Sequence, residues 1–521
     1  MPPTVAAPWP RVKRPSARPS ASPALGYTRK MAESTETVPA APPESAGVVR
    51  RVLGGVRLAY LPVLVTYFCY GASGINAIAL LYFQKDVLGI TPAEAAGIAF
   101  WVALPWSTKM VAGVASDVHP IFGSRRFAYL LLGALLSFVG YAWLATTAST
   151  KATYLAALVI STVGFMVQDV VADALSVEVA RTEEETKQIQ ALGRMALLVG
   201  TIAVGYLGGW LAGAVGARTV FALSLVLPLL VMASAWLIPR APARPPADAD
   251  APNALGAGNA RLVVLGGLAY AALGVVLEAL SVPFGQEIIL VVSATIIVLL
   301  LRRVGISRGV AVAAFAIFCF RAVPGAGQGF NYWAIDHLGF DQEFLGVLAQ
   351  VSSVLSLAGL IVFRKPITHR PVSYTLFWVT VAGAVLYLPT IGLFYEAYRW
   401  LGLSPRMFAF IDTTIAAPLG QLSMVPMLAL IARTAPRGAE ATMFAIMASL
   451  MNLALSASEL GTRYLNQVFG VTQQDYSGLG RLLIAVGLIG LLPLLALPLL
   501  RREEATTPAA APPAAPERPD P

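Results

Sequence analysis

Asp169 and Asp173 stand four residues apart in an otherwise apolar stretch, which sets both carboxylates on one face of a helix. A charge placed mid-bilayer costs at least about 2.5 to 3.5 kcal/mol on insertion scales, so each needs a reason to be there. Two carboxylates this close disfavour double ionisation, and one of them holds a proton more tightly. That is the chemistry proton coupling requires: an acid whose protonation changes between the two faces of a membrane. The alternative is a static ion pair with Arg194 on the next helix or with Arg181 near the helix end. Glu459, seven residues after Asn452 and on its helix face, is a further candidate coupling acid, while Asn452 suits helix-to-helix hydrogen bonding.

Arg321 lies inside a second apolar stretch and is followed by Pro324, Gly325, Gly327 and Gly329. One proline and several glycines make this the helix expected to bend or break, and discontinuous helices are where transporters expose backbone to substrate. Arg321 is suited to a substrate carboxylate, Gln328 and Asn331 to hydrogen bonds, and Trp333 to a stacking face, unless it is an interfacial anchor. Trp106 and Lys109, three residues apart, are expected to share a cavity face, and Asp412 to balance Arg321. Arg194 and Gln421 complete the candidate binding set; Gln421 is the second-half counterpart of Asp169, at an offset of 252 residues.

Gly113, Asp117, Gly123, Arg125 and Arg126 close one apolar helix and open the next, the pattern of a gating loop. Gly113 and Asp117 share a helix face, where glycine admits a neighbouring helix and the carboxylate caps that helix or pairs with an arginine. The simpler role for Arg125 and Arg126 is to hold topology.

The elements that must position these groups are spanning helices. The chain is 57% hydrophobic and 12% charged, against about 25% charged for a soluble domain, so it belongs in a bilayer. Apolar stretches of about 20 residues, the length a spanning helix needs, recur about fourteen times. Tyr67-Phe68-Cys69-Tyr70 is echoed by Ile317-Phe318-Cys319-Phe320, and Asp86-Val87-Leu88-Gly89 by Asp336-His337-Leu338-Gly339, both at an offset of 250 residues. The expected organisation is therefore an all-α polytopic membrane protein of two parallel six-helix repeats, 51–240 and 304–502. Two inserted helices at 261–303 preserve the parallel orientation. Residues 1–50, a linker at 241–260 and a tail at 503–521 are read as disordered. Residues 1–30 have the composition of a transit peptide or of sequence upstream of a true start at Met31.

Basic residues such as Arg50, Arg51, Arg125, Arg126, Arg302, Arg303, Arg501 and Arg502 gather at alternate helix ends, which puts both termini in the cytoplasm. The net charge of +9 is then a topology signal, and no nucleic-acid partner is expected. Cys69 and Cys319 read as small buried residues. No phosphate-cradling loop occurs and His119, His337 and His369 lack metal spacing, so neither cofactor, metal nor enzyme activity is expected.

The run from Pro105 to Arg126 resembles the signature of the folate-biopterin transporter family, a branch of the major facilitator superfamily. Leu81–Gly89, Gln168–Ala174, Leu338-Gly339-Phe340 and Pro436–Thr442 are similar to other stretches of the family, although Met110 stands where the family commonly has proline. The resemblance implies a major facilitator fold, a monomer, and secondary active transport of folate, pterin or a similar anionic heterocycle, and the Asp169 and Asp173 pair makes protons the expected coupling partner. A cell membrane is expected rather than an organelle envelope. A permease for a muropeptide or nucleoside-like solute, and a non-transporting assembly or pigment-delivery factor on the same fold, are the alternatives.

Overall fold

The computed structural model describes residues 57–238, 257–368, 370–420, 422, 424–434 and 440–506. The expected N-terminal tail with its transit-peptide reading, most of the 241–260 linker, most of the C-terminal tail and Gln421 lie outside the described residues.

Among the described residues the long elements are all helices. The first repeat comprises α1 (Leu58–Val87), α2 (Pro92–Val118), α3 (Phe127–Thr146), α4 (Lys151–Glu178), α5 (Glu183–Val215) and α6 (Ala217–Ala235). The inserted pair is α7 (Ala257–Ala279) and α8 (Gly285–Val304). The second repeat comprises α9 (Arg308–Arg321), α10 (Gln328–Leu338), α11 (Gln342–Thr368), α12 (Val372–Phe394), α13 (Pro405–Ala416), α14 (Met424–Thr434), α15 (Glu440–Val468) and α16 (Leu479–Ala505). Thirteen stretches are long and apolar enough to span a membrane among the described residues. The fourteenth expected span is the broken pair α9 and α10.

Local chemistry sets the ends. Thr91 and Glu94 form a capping box around Pro92, whose missing N–H costs nothing at a helix start, and Thr182 and Ser307 cap α5 and α9 by accepting one backbone N–H each, from Glu185 and Val310. The break between α9 and α10 follows from Pro324, which removes a backbone donor, and from Gly327, whose φ of +60° belongs to the left-handed region. At the equivalent place in the first repeat, Ser73–Asn76, α1 only tightens into a 3-10 turn, because no proline stands there.

The halves meet through two related contacts, α2 against α15 and α5 against α11. The repeat offset carries α2 onto α11 and α5 onto α15, so each contact maps onto the other, as an axis along the membrane normal requires. The second contact is a glycine crossing. A Cβ at Gly209 would lie 2.3 Å from the Gln342 carbonyl oxygen and 2.6 Å from Gly346 Cα. Gly113, by contrast, has only Val170 Cγ1 at 3.6 Å, so the close approach expected there is absent and a methyl would fit. Gly209→Val should therefore destabilise the protein by about 1–3 kcal/mol, seen as a lower thermal midpoint in detergent, whereas Gly113→Ala should leave it unchanged. Equal midpoints for both variants would rule out the described crossing.

Polar contacts between the halves gather at the end formed by the 88–91, 339–341 and 469–478 connections. Lys85 pairs with Asp336 at 2.6 Å, Tyr82 donates to the Phe340 carbonyl at 2.8 Å, and Gln473 donates to the Ile90 carbonyl at 2.7 Å. Tyr206 on α5 adds a bond to Glu343 at 2.6 Å. The inserted pair seals the same end: Gln286 donates to the Gly97 carbonyl of α2 at 2.9 Å and accepts from Arg463 of α15 at 2.8 Å. Leu262, Leu265, Leu268 and Val275 on α7 are exposed, a face suited to lipid.

Candidate functional site

The first-half polar cluster is built where α1, α2 and α4 converge. Leu104–Thr108 winds as a 3-10 stretch around Pro105, and Lys109 begins the regular helix that follows. Lys109 Nζ lies 2.6 Å from Asp169 Oδ2 and 3.7 Å from Asp173 Oδ2. Asp169 is buried at 6% exposure, and Tyr67 on α1 donates its hydroxyl to Asp173. One ammonium therefore serves two carboxylates, and the second keeps an oxygen on a phenol.

Neither aspartate forms the ion pair with Arg194 or Arg181 considered from sequence. Among the described residues Arg194 has no carboxylate within ion-pair distance, and its guanidinium instead sits over the Tyr67 ring at 5.5 Å. Trp106 lies on the Lys109 side of α2, its ring 5.5 Å from Tyr70, and its carbonyl accepts the Asn452 amide of α15 at 3.0 Å. Tyr67 escaped the sequence reading, because a lone tyrosine in an apolar helix carries no signal of its partner.

The loop residues form a knot within one half. Arg126 reaches Asp117 at 2.8 Å, Glu178 at 2.7 Å and the Ser116 hydroxyl at 2.9 Å, tying the ends of α2 and α4 to the start of α3. Burial alone would lower the Arg126 pKa, but Glu178 and Asp117 outweigh it and raise it. Gly123 turns the loop with φ +74°, and Arg125 makes no ion pair among the described residues.

In the second half Arg321, Asp412 and Glu459, the charges inside the apolar spans, have no ion pair among the described residues. Arg321 ends α9, and its buried Nε has no hydrogen-bond partner among the described residues. The broken backbone is held by α15: Ser458 donates to the Val323 carbonyl at 2.6 Å, Thr462 accepts from the Gly325 amide at 2.9 Å, and Asn466 donates to the Ala326 carbonyl at 3.2 Å. Asp412 does not pair with Arg321. It points toward Thr390 of α12, 3.4 Å away, into an apolar cavity of about 500 Å³ lined also by Phe320 and Tyr387. Glu459 has no hydrogen bond or ion pair among the described residues.

Gln328 and Asn331 bond to each other at 2.8 Å. Trp333 stands away from Arg321 at the closed end, among Phe330, His337 and Phe394. The closed end also includes Asp341: partial burial would raise its pKa, but the Phe344 amide and Arg406 hold it low.

Two parallel bundles, crossed helix contacts that exchange under the repeat, a broken helix and charges inside apolar spans define a solute transporter of the major facilitator fold. A POT family transporter solved with 5-aminolevulinic acid shares this fold at a TM-score of 0.63 and 12% identity, covering 86% of this chain and 96% of its own. A D-xylose-proton symporter does so at 0.54 and 14%, covering 87% and 97%. The chain belongs to the BT1 family, whose model matches residues 71–509. It is 31% identical over 437 residues to the folate-biopterin transporter of Synechocystis sp. (strain ATCC 27184 / PCC 6803 / Kazusa), covering 83% of this chain and 80% of that relative. With the probable folate-biopterin transporter 4 of Arabidopsis thaliana it shares 24% over 469 residues, covering 82% and 91%. It is a multi-pass membrane transporter, not an enzyme.

Proposed function

We propose that this protein moves folate, a pterin or a similar anionic heterocycle across a cell membrane by proton-coupled secondary transport, as a monomer with both termini cytoplasmic. The names of the relatives support the substrate class. The observation that carries the anionic character is Arg321, a guanidinium beside a helix break with no carboxylate partner among the described residues. Coupling is assigned to Asp169 and Asp173, which share Lys109: a proton on either carboxylate changes how the other holds the ammonium. Glu459 and the knot around Arg126 are assigned to coupling and gating. On this orientation the closed end faces outward.

Uptake of labelled folate and biopterin into proteoliposomes, with and without an inward proton gradient, tests the reading. Gradient-driven accumulation is expected, and Asp173→Asn should abolish it while exchange at equal concentrations continues. Undiminished uphill uptake by that variant would remove Asp173 from coupling. Absence of flux with either compound in the unmodified protein would overturn the substrate class.

A further inference from the structure

A cavity of about 560 Å³ opens at the closed end, between α10, α12 and the 469–478 connection. Its apolar side is aromatic. The Trp333 ring lies 5.0 Å from Phe394, the His337 ring is stacked on it at 6.2 Å and 19°, and Tyr476 meets His337 edge-on at 5.3 Å. Its other side is polar: the Gln474 side chain is exposed and makes no hydrogen bond among the described residues, and Asp475 accepts from the Ser477 amide at 2.8 Å. Ring faces beside an unused amide and a carboxylate suit a flat heterocycle with both donors and acceptors on its edge.

The floor of this cavity gives it consequence. Asp336, which lines it, takes Lys85 from the other half at 2.6 Å and the Tyr476 hydroxyl at 2.7 Å. Gln473, which also lines it, donates across the halves to Ile90. A ring that donates to Asp336, or accepts from Tyr476 or Gln473, competes with the contacts that keep this end shut.

We propose that the cavity is a docking site for the substrate's planar heterocycle on the closed face, and that its occupancy loosens the Lys85–Asp336 and Gln473–Ile90 contacts so that this end opens. The site rests on the folate and pterin reading above and is separate from Arg321. A ligand shifts such an equilibrium only through its preference for one state, so the docked ring must bind the loosened form more tightly.

The test uses purified full-length protein and a photoreactive biopterin, with peptides mapped after illumination. Label is expected on peptides carrying 333–337 and 470–478. Replacing His337 and Gln474 together with alanine, both exposed side chains, removes one stacking face and one hydrogen bond and should weaken labelling there about tenfold. Spin labels on cysteines placed at Leu88 and Asp341, with Cys69 and Cys319 replaced by alanine, should move apart when biopterin is added, and should not do so in the His337/Gln474 variant. Label confined to other peptides in a protein that still transports biopterin would overturn the docking site alone. Label at the site without a change in spin-label distance would overturn the opening. A protein that neither transports nor binds biopterin or folate would overturn the substrate reading and the site with it.

Discussion

Lys109→Met should abolish uphill transport and mark the largest loss among single changes in the first half. The ammonium is the one cation within ion-pair distance of Asp169 among the described residues, and it lies within reach of Asp173 as well. Removing it leaves a buried carboxylate unpaired, which destabilises by about 3–5 kcal/mol unless the acid takes up a proton. A permanently protonated Asp169 no longer reports the difference in pH across the membrane, so coupling is lost even where the protein folds. Pairing Lys109→Met with Asp169→Asn removes both charges and should return most of the thermal stability without returning accumulation against a gradient. Exchange and thermal midpoint are measured beside uphill uptake, which separates the two effects. Retention of uphill uptake by Lys109→Met would show that the cluster is structural.

How far this cluster was legible depends on what periodicity fixes. Four-residue spacing placed Asp169 and Asp173 on one face, and three-residue spacing placed Trp106 and Lys109 together; the structure keeps both pairs on the side where α1, α2 and α4 meet. The partner of the aspartates was not legible. Spacing sets directions within one helix, whereas a pair needs the rotation of two. The 3-10 stretch Leu104–Thr108 adds about 20° per residue, since such a helix has about 3.0 residues per turn rather than 3.6, and a count at the ideal period misses it. Arg194 was a reasonable alternative by charge, but the Tyr67 ring lies under its guanidinium. The break after Arg321 was legible because Pro324 and Gly327 act locally on the backbone. The lock at Lys85 and Asp336 was half legible. The repeat aligns Asp336 with Asp86, and Lys85 touches both, at 2.6 and 3.3 Å, as a residue close to the axis between repeats would. The separation of 251 residues between Lys85 and Asp336 along the chain (336 − 85) hid the contact itself.

Arg321→Ala should separate substrates by charge. Folate carries carboxylates on its glutamate tail and biopterin has none, so a guanidinium that binds the tail matters for one and not for the other. Arg321 is available for this because its Nε is buried without a partner among the described residues and neither Asp412 nor Glu459 has been drawn into an ion pair with it. A hydrogen bond to a charged partner contributes about 1.5–3 kcal/mol, which corresponds to a rise of about 10- to 150-fold in the folate dissociation constant. Biopterin binding should be unchanged, and that arm also shows that the variant is folded. Arg321→Lys should recover only part of the loss, because an ammonium lacks the planar fork that meets both carboxylate oxygens. Equal weakening of folate and biopterin would mean that the substitution disturbs the helix break held by Ser458, Thr462 and Asn466 rather than a carboxylate contact. Unchanged folate affinity would remove Arg321 from the site and leave the second half to recognise its substrate through Glu459 or Asp412, which as carboxylates would favour a substrate edge rich in donors.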